Sequence, residues 1–169
     1  FLADTTINYS PSAEELADIT VLVHEAVERF RLKPSIALLS YSNFGSTDGD
    51  EAVKVRNAVK ILHDKYPDMV VDGEIQANFA INTKMVDDIF PFSKLAGKRA
   101  NVLIFPNLSA GNIAYKLLQE MGGRDAIGPI LLGMKKPVHI LQLGSSVREI
   151  VNMITISVVD AQTRQKQGK

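Results

Sequence analysis

Cysteine is absent from all 169 residues, which excludes disulfides, thiol chemistry and cysteine-based metal sites together. Neither sign of charge dominates, with 19 Lys plus Arg against 19 Asp plus Glu. A balanced chain exerts no general pull on nucleic acid or an anionic membrane surface, so any phosphate recognition has to be local. No apolar stretch approaches the roughly 18 residues that a membrane-spanning helix needs, and no basic region precedes the first apolar residues as in a secretory signal. The triphosphate loop G-x-x-x-x-G-K-[ST] and the dinucleotide fingerprint G-x-G-x-x-G are both missing. The histidines His24, His63 and His139 are scattered, so no His-based metal triad is expected. Repeats, low-complexity tracts and long linkers are lacking too. These absences predict a cytoplasmic protein without a membrane or nucleic-acid partner. The chain opens on Phe1 with no methionine and reads as a piece of a longer polypeptide.

What is present is an alternation of short apolar runs with helical patterns, the mark of β-α units on a largely parallel sheet. The first run is Phe1 to Ile7. Ser12 stands three before Glu15 as a capping box, and Leu16, Ile19, Val23, Ala26, Val27 and Phe30 form one helical stripe. Ser35 to Tyr41 reads as a buried strand. Asp48 and Asp50 start a helix that Ala52, Val55, Val59 and Leu62 carry to Pro67. Met69 to Val71 is a short strand running into Asp72-Gly73-Glu74, and a helix is expected near Thr83 to Ile89. A strand at 101 to 105 hands over at Pro106-Asn107 to a helix at about 109 to 121, which Gly122-Gly123 ends as a C-cap. Ile130 to Leu132 and Val138 to Leu141 are the last strand candidates. Ser146 opens a final helix with Glu149 in the capping position, and the tail Arg164 to Lys169 reads as frayed. The expectation is one compact unit, a three-layer α/β/α fold.

Two turns could carry chemistry. A strand that hands over directly to a helix leaves free N–H groups at its carboxyl end, where open α/β sheets bind anions; Asn107 stands there, with Lys116 further along the helix. The loop Ser40 to Ser46 is rich in small hydrogen-bonding residues and could present hydroxyls and N–H groups to a phosphate or acyl phosphate; the plainer reading is a turn with a capping serine. Asp72, Glu74 and Asp68 place carboxylates around a glycine. Acid-base work or metal binding is conceivable there, but a solvated turn is the expectation. His24 and His63 read as surface residues. His139, beside Lys135 and Lys136 at a strand start, is the histidine placed near a ligand.

Longer segments resemble a known family. Phe1 to Asn8 looks like the F-A-D-x-A-x-N strand of phosphate acetyl- and butyryltransferases, and Ser12 to Leu16 like their P-x-A-E-x-L helix start. Ser40-Tyr41-Ser42-Asn43-Phe44-Gly45-Ser46 resembles S-x-S-x-x-G-S, and Asp72 to Gln76 resembles D-G-E-[LM]-Q. Asn101 to Lys116 resembles A-N-V-[LF]-I-F-P-N-L-x-A-G-N-I-x-Y-K, and Gly128 to Leu131 and Lys136 to Val138 complete the order. The resemblance implies the second lobe of a two-lobe enzyme of isocitrate/isopropylmalate-dehydrogenase-like architecture, with residues 1 to 169 forming that lobe plus a C-terminal helix and the first lobe absent. An acyl-CoA site between lobes is implied, with Ser42, Asn43, Ser46, Asn107, Asn112, Lys116, Lys136 and His139 as its candidates here.

The departures bear on activity. Where active members read K-P-V-N-D-L-S-R-G, this chain has Gln142 for the Ser and Leu143 for the Arg, and leucine cannot supply a guanidinium fork. Glu149 stands for the catalytic Asp, Asn78 for the Asp after D-G-E-L-Q, and Glu120 where a basic group is frequent. No catalytic residue is therefore assigned. Val138 to Leu141, Arg148 with Ile150 to Met153, and Val158 to Gln162 resemble the carboxyl-terminal domain of hybrid NADP-dependent malic enzymes. That branch implies a domain that binds acetyl-CoA as an allosteric effector, holds no cofactor of its own, and supports a homodimer or higher oligomer. NADP and a divalent metal would belong to the oxidoreductase region of the parent. The alternatives are an active phosphate acetyltransferase with Glu149 or His139 as base, and a purely structural dimerisation module.

Overall fold

The structure is a computed structural model and describes residues 1–122, 126–141 and 143–166. The chain divides into two compact units, Phe1–Lys116 and Leu117–Lys169, where the sequence reads as one. The division falls inside a continuous helix, so no Gly- or Pro-rich linker marks it.

The first unit is built on a four-stranded sheet of β1 (Leu2–Ala3), β2 (Ile36–Leu39), β3 (Val71–Ile75) and β4 (Val102–Ile104). The spatial order is β1-β4-β2-β3, and every pairing is parallel. Parallel neighbours need crossovers. These are α1 (Ala13–Arg29) between β1 and β2, α2 (Asp50–Lys65) between β2 and β3, and the pair α3 (Ala77–Ala80) and α4 (Thr83–Ile89) between β3 and β4. The expected capping box starts α1: the Glu15 N–H donates to Ser12 Oγ at 3.2 Å and the Ser12 N–H to Glu15 Oε2 at 2.7 Å. Leu16, Val23, Ala26 and Val27 of the expected stripe are buried, whereas Phe30 falls just beyond the helix and is exposed.

Helices cover both faces of this sheet. Side chains alternate along a strand, so Ala37 and Leu39 share a face with Ile75 and meet Ala80, Val86 and Leu95 in one cluster. Ile36, Leu38, Val102 and Ile104 take the opposite parity and are equally buried. On that side α2 packs on β2 and β3, and α1 packs on α2. A sheet covered on both faces needs continuous apolar strands rather than alternating ones, and β2 is buried at all four positions.

Asp72-Gly73-Glu74 departs from expectation. It is neither a turn nor solvated: β3 begins at Val71 rather than Met69, includes all three residues, and is buried throughout. Asp72 Oδ2 accepts from the Ser93 hydroxyl and the Lys94 N–H, each at 2.8 Å. This carboxylate pins the turn before β4 to the sheet. Glu74 is an extra residue in the ladder, because Leu38 pairs with Gly73 and Leu39 with Ile75. Such a bulge re-aims one side chain. His63, half-exposed, bonds the Val71 carbonyl through Nε2 at 2.8 Å and so is also less of a surface residue than expected.

The last helices are α5 (Leu108–Gly122) and α6 (Val147–Lys166). Neither 130–132 nor 138–141 is a strand. Both runs are apolar, but within the second unit no other strand is described to pair with them, and a strand needs a neighbour for its backbone groups. The expected box at Ser146 is present, with the Ser146 N–H donating to Glu149 Oε2 at 2.6 Å and the Glu149 N–H to Ser146 Oγ at 3.2 Å. From that start α6 runs to Lys166, so the first part of the tail expected to fray is helical, and Arg164 bonds the Asp160 carboxylate and the Met134 carbonyl; the rest of that tail, residues 167–169, lies outside the described residues. Gly123, half of the expected C-cap of α5, lies outside the described residues.

Candidate functional site

In an all-parallel sheet the loops that follow the strands gather at one edge, where α/β folds bind ligands. Here these are the loop after β2, residues 40–49, the turn 105–107 after β4, and the turn at Asp4 after β1. The Asp4 carboxylate accepts from the Thr6, Ile7 and Asn8 N–H groups and from the Asn8 side chain, at 2.7 to 3.0 Å. Burial opposes its charge, but these donors outweigh burial and hold the carboxyl below the usual range.

Ser42, Asn43 and Ser46 are brought together, and they close on themselves. The Asn43 N–H donates to Ser46 Oγ at 3.0 Å, the two serine oxygens are 3.0 Å apart, and the Ser42 hydroxyl donates to Glu74 Oε1 at 2.9 Å. A carboxylate only accepts. The Ser42 proton therefore points to Glu74, and the Ser46 proton points to Ser42. Both hydroxyl protons are spent inside the loop, and Ser46 keeps one acceptor position for anything outside. The backbone is equally committed: the Phe44 N–H donates to the Glu74 carbonyl at 2.8 Å, Gly45 to Glu74 Oε1 at 2.8 Å, and Ser46 to the Asn43 carbonyl at 3.0 Å. Neither serine is the N-cap of α2, which is Gly49. Phe44 (φ 43°) and Gly45 (φ 89°) make the sharp bend, and the Phe44 ring is held by Phe90 and Phe92 at centroid distances of 4.9 and 5.1 Å.

Glu74, fully buried, anchors this arrangement. Arg56 of α2 reaches it with Nε at 3.2 Å and Nη2 at 3.1 Å, while Nη2 also bonds the Thr47 carbonyl at 2.7 Å. Burial works against the charge on Glu74. The Arg56 guanidinium, the Gly45 N–H and the Ser42 hydroxyl more than offset it, and the carboxyl sits below its ordinary range. The reading of residue types alone missed Arg56 altogether. The signal available was a basic residue on α2 next to the buried Val55, and that is weak.

Asn107 starts α5. Its Oδ1 accepts from the Ala110 N–H at 3.0 Å, and the Leu108 N–H bonds the Tyr9 carbonyl at 3.1 Å, so two of the first amides are already engaged. Asn107 also meets Glu51 of α2 at 3.3 Å, and Lys54 reaches the Pro106 carbonyl and Glu51, each at 3.0 Å. Lys54, largely buried at 16% side-chain exposure, is a cation at this edge that residue order did not reveal. Asn112 bonds the Thr5 carbonyl at 3.1 Å. Between these two asparagines, Gly111 lets α5 approach the Asp4 turn, since a β carbon there would overlap the Asp4 carbonyl oxygen. Lys116 is exposed, with its ammonium 4.7 Å from the Tyr115 ring centroid.

Of the remaining candidates, Lys136, His139, Leu143 and Glu149 belong to the second unit; Gln142 lies outside the described residues. Lys136 is exposed and Leu143 fully so. His139 Nδ1 accepts from the Leu131 N–H at 3.2 Å, which places the ring proton on Nε2, a buried atom without a partner among the described residues. Burial lowers the pKa of this ring, with Asp160 and Arg164 opposing each other as smaller influences. Glu149 is spent on its capping box, and the Ser146 N–H holds its carboxyl below the ordinary range. Among the described residues no group of three or more His, Asp or Glu could hold a metal ion, and no helix is long and apolar enough to cross a membrane.

Comparison with known proteins agrees with this architecture. Residues 1–158 match the family described as Phosphate acetyl/butaryl transferase. The chain is 46% identical over 162 residues to an NADP-dependent malic enzyme of Haemophilus influenzae, covering 96% of this chain and 21% of that protein. It is 43% identical over 161 residues to a phosphate acetyltransferase of Clostridium acetobutylicum, covering 95% of this chain and 48% of that one. A crystal structure of a phosphotransacetylase from Streptococcus pyogenes superposes with a TM-score of 0.89 at 41% identity, over 95% of this chain and 49% of that one. The chain thus spans between about a fifth and a half of the relatives it matches. With its all-parallel sheet, its sequence segments and these matches in agreement, the chain belongs to the phosphate acetyl/butyryl transferase family.

Proposed function

We propose that this chain is the transferase-like domain of a malic enzyme, binding acetyl-CoA as an effector without turning it over. The observation that carries the second half is the state of the two candidate bases. A general base needs a free lone pair and a pKa near the working pH. His139 has its Nδ1 lone pair engaged by Leu131 and its Nε2 protonated. Glu149 is held in a capping box that favours the charged, weakly basic form. Leu143 stands where active relatives are expected to carry an arginine. The malic-enzyme half rests on the relative just described, in which the matching segment is a fifth of a longer polypeptide. In the first unit the ligand reading uses Asn43, Ser46 with its remaining acceptor position, Asn107, Asn112 and Lys116, with Ser42 holding the loop; Lys136 and His139 are candidates of the second unit, taken by itself.

An effector must bind one state of the assembly more tightly than another. Saturating acetyl-CoA is expected to shift the malate half-saturation or the rate of the intact protein by about fivefold or more. The same preparation should show no acetyl-phosphate formation from acetyl-CoA and phosphate. Kinetics unchanged by acetyl-CoA would refute the regulatory reading, and acetyl-phosphate turnover would restore the enzymatic one.

A second observation favours a homo-oligomer. On α6, Val147, Val151, Ile154 and Val158 are 78, 55, 58 and 48% exposed. Their i, i+4, i+7, i+11 spacing draws one apolar stripe along the helix. Such a stripe fits an isologous contact with a second copy. Ile154→Glu is expected to lower the mass of the intact protein in solution by light scattering, and an unchanged mass would exclude this helix from the contact.

A further inference from the structure

The loop after β2 has the composition of an anion cradle, yet it already holds an anion. We infer that Glu74 is the positioning residue of the 42–46 loop: its buried carboxylate occupies the place of a bound anion and sets the loop's shape and hydrogen-bond polarity. Three features support this. The donors that a cradle would direct outward, the Gly45 N–H and the Ser42 hydroxyl, both end on Glu74 Oε1 at 2.8 and 2.9 Å. Arg56 bonds the same carboxylate and, with the same guanidinium, the Thr47 carbonyl at 2.7 Å, so one side chain fixes both the anion and the far end of the loop. Glu74 also sits on the bulge of β3, the one register position at which a residue of that strand is left over from the ladder. A regular strand at this point would leave no spare residue to send toward the loop.

The consequence is a loop whose conformation depends on a charge eighteen residues from its partner Arg56 and buried beneath the loop. Bonds to a charged group are the stronger kind. Removing the charge while keeping the size, as in Glu74→Gln, should release the loop and leave the sheet in place. Ser42→Ala removes only the hydroxyl and should do the same more weakly. That second variant guards against poor folding of the first.

Hydrogen exchange on the intact protein, read by mass spectrometry, tests this. Amides of residues 43–46 are expected to exchange roughly ten- to a hundredfold faster in Glu74→Gln, and by a smaller factor in Ser42→Ala. Peptides from α1 and β2 should accelerate by a smaller factor than the loop, because glutamine keeps an acceptor at this position and lowers the overall stability only modestly. Unchanged exchange at 43–46 in both variants would overturn the inference. Equal acceleration across α1, β2 and the loop would also overturn it, by showing a general stabilising role. The inference does not depend on acetyl-CoA binding, and the two can be separated with the same proteins. A Glu74→Gln protein with a released loop and an unaltered acetyl-CoA dissociation constant supports the inference and removes the loop from the ligand site.

Discussion

Gly73→Ala is expected to destabilise the protein by about 3 kcal/mol or more. Gly73 has φ 151°, a region that side chains disfavour, and a β carbon there would lie 2.6 Å from the Leu38 carbonyl oxygen. Leu38 is its partner on the neighbouring strand, so the obstacle is backbone inside a sheet buried on both faces, not a side chain that can rotate away. The strand has no exposed edge on that side through which to relax. Urea unfolding of the intact protein should show the midpoint falling with little change in slope. An unaltered midpoint would mean that β3 can shift its register without cost.

The second large effect is expected from Glu74→Ala, and it should depend on pH. Removing one partner of a buried ion pair typically costs about 3–5 kcal/mol. The lower end applies here, because the Arg56 side chain is 35% exposed and can rehydrate once its partner is gone. Gly45 N–H and the Ser42 hydroxyl would lose their acceptor at the same time. Because the folded state holds the Glu74 carboxyl below its ordinary value, its contribution is complete above the unfolded value of about 4.3 and is lost as pH falls through the folded one. The stability gap between wild type and Glu74→Ala should therefore be widest above about pH 5 and narrow in acid. A gap that stays constant from pH 7 to pH 4 would assign the loss to packing instead of charge.

Much of this was legible along the chain. The two capping boxes at Ser12 and Ser146 are local, since both partners lie within one helical turn, and both are in place. The α4 helix occupies Thr83–Ile89 as its pattern predicts. Asp72-Gly73-Glu74 could not be read in the same way. Asp and Gly favour turns when left to themselves, but these residues are paid for by partners that are far away in sequence. Asp72 is satisfied by Ser93 and Lys94, and Glu74 by Arg56 and Gly45. The opposite error occurred at Ile130 to Leu132 and Val138 to Leu141. There the apolar pattern suggests strands, yet a strand requires a neighbouring ladder that the pattern does not reveal.

By itself the sequence determined the family, the alternation of strands and helices, and the helix starts, because each rests on contacts between near neighbours or on residue order. Only the tertiary structure decided which polar groups face a ligand and which face one another. The 42–46 loop carries serines, an asparagine and a glycine as an anion cradle would, but the Ser42 hydroxyl and the Gly45 N–H converge on Glu74, and the Asn43 N–H turns to Ser46. That difference arises from a bulge in one strand and an arginine on the helix that precedes it. Burial then makes the choice binding, since a carboxylate taken out of water has to collect its donors from whatever the fold brings within reach.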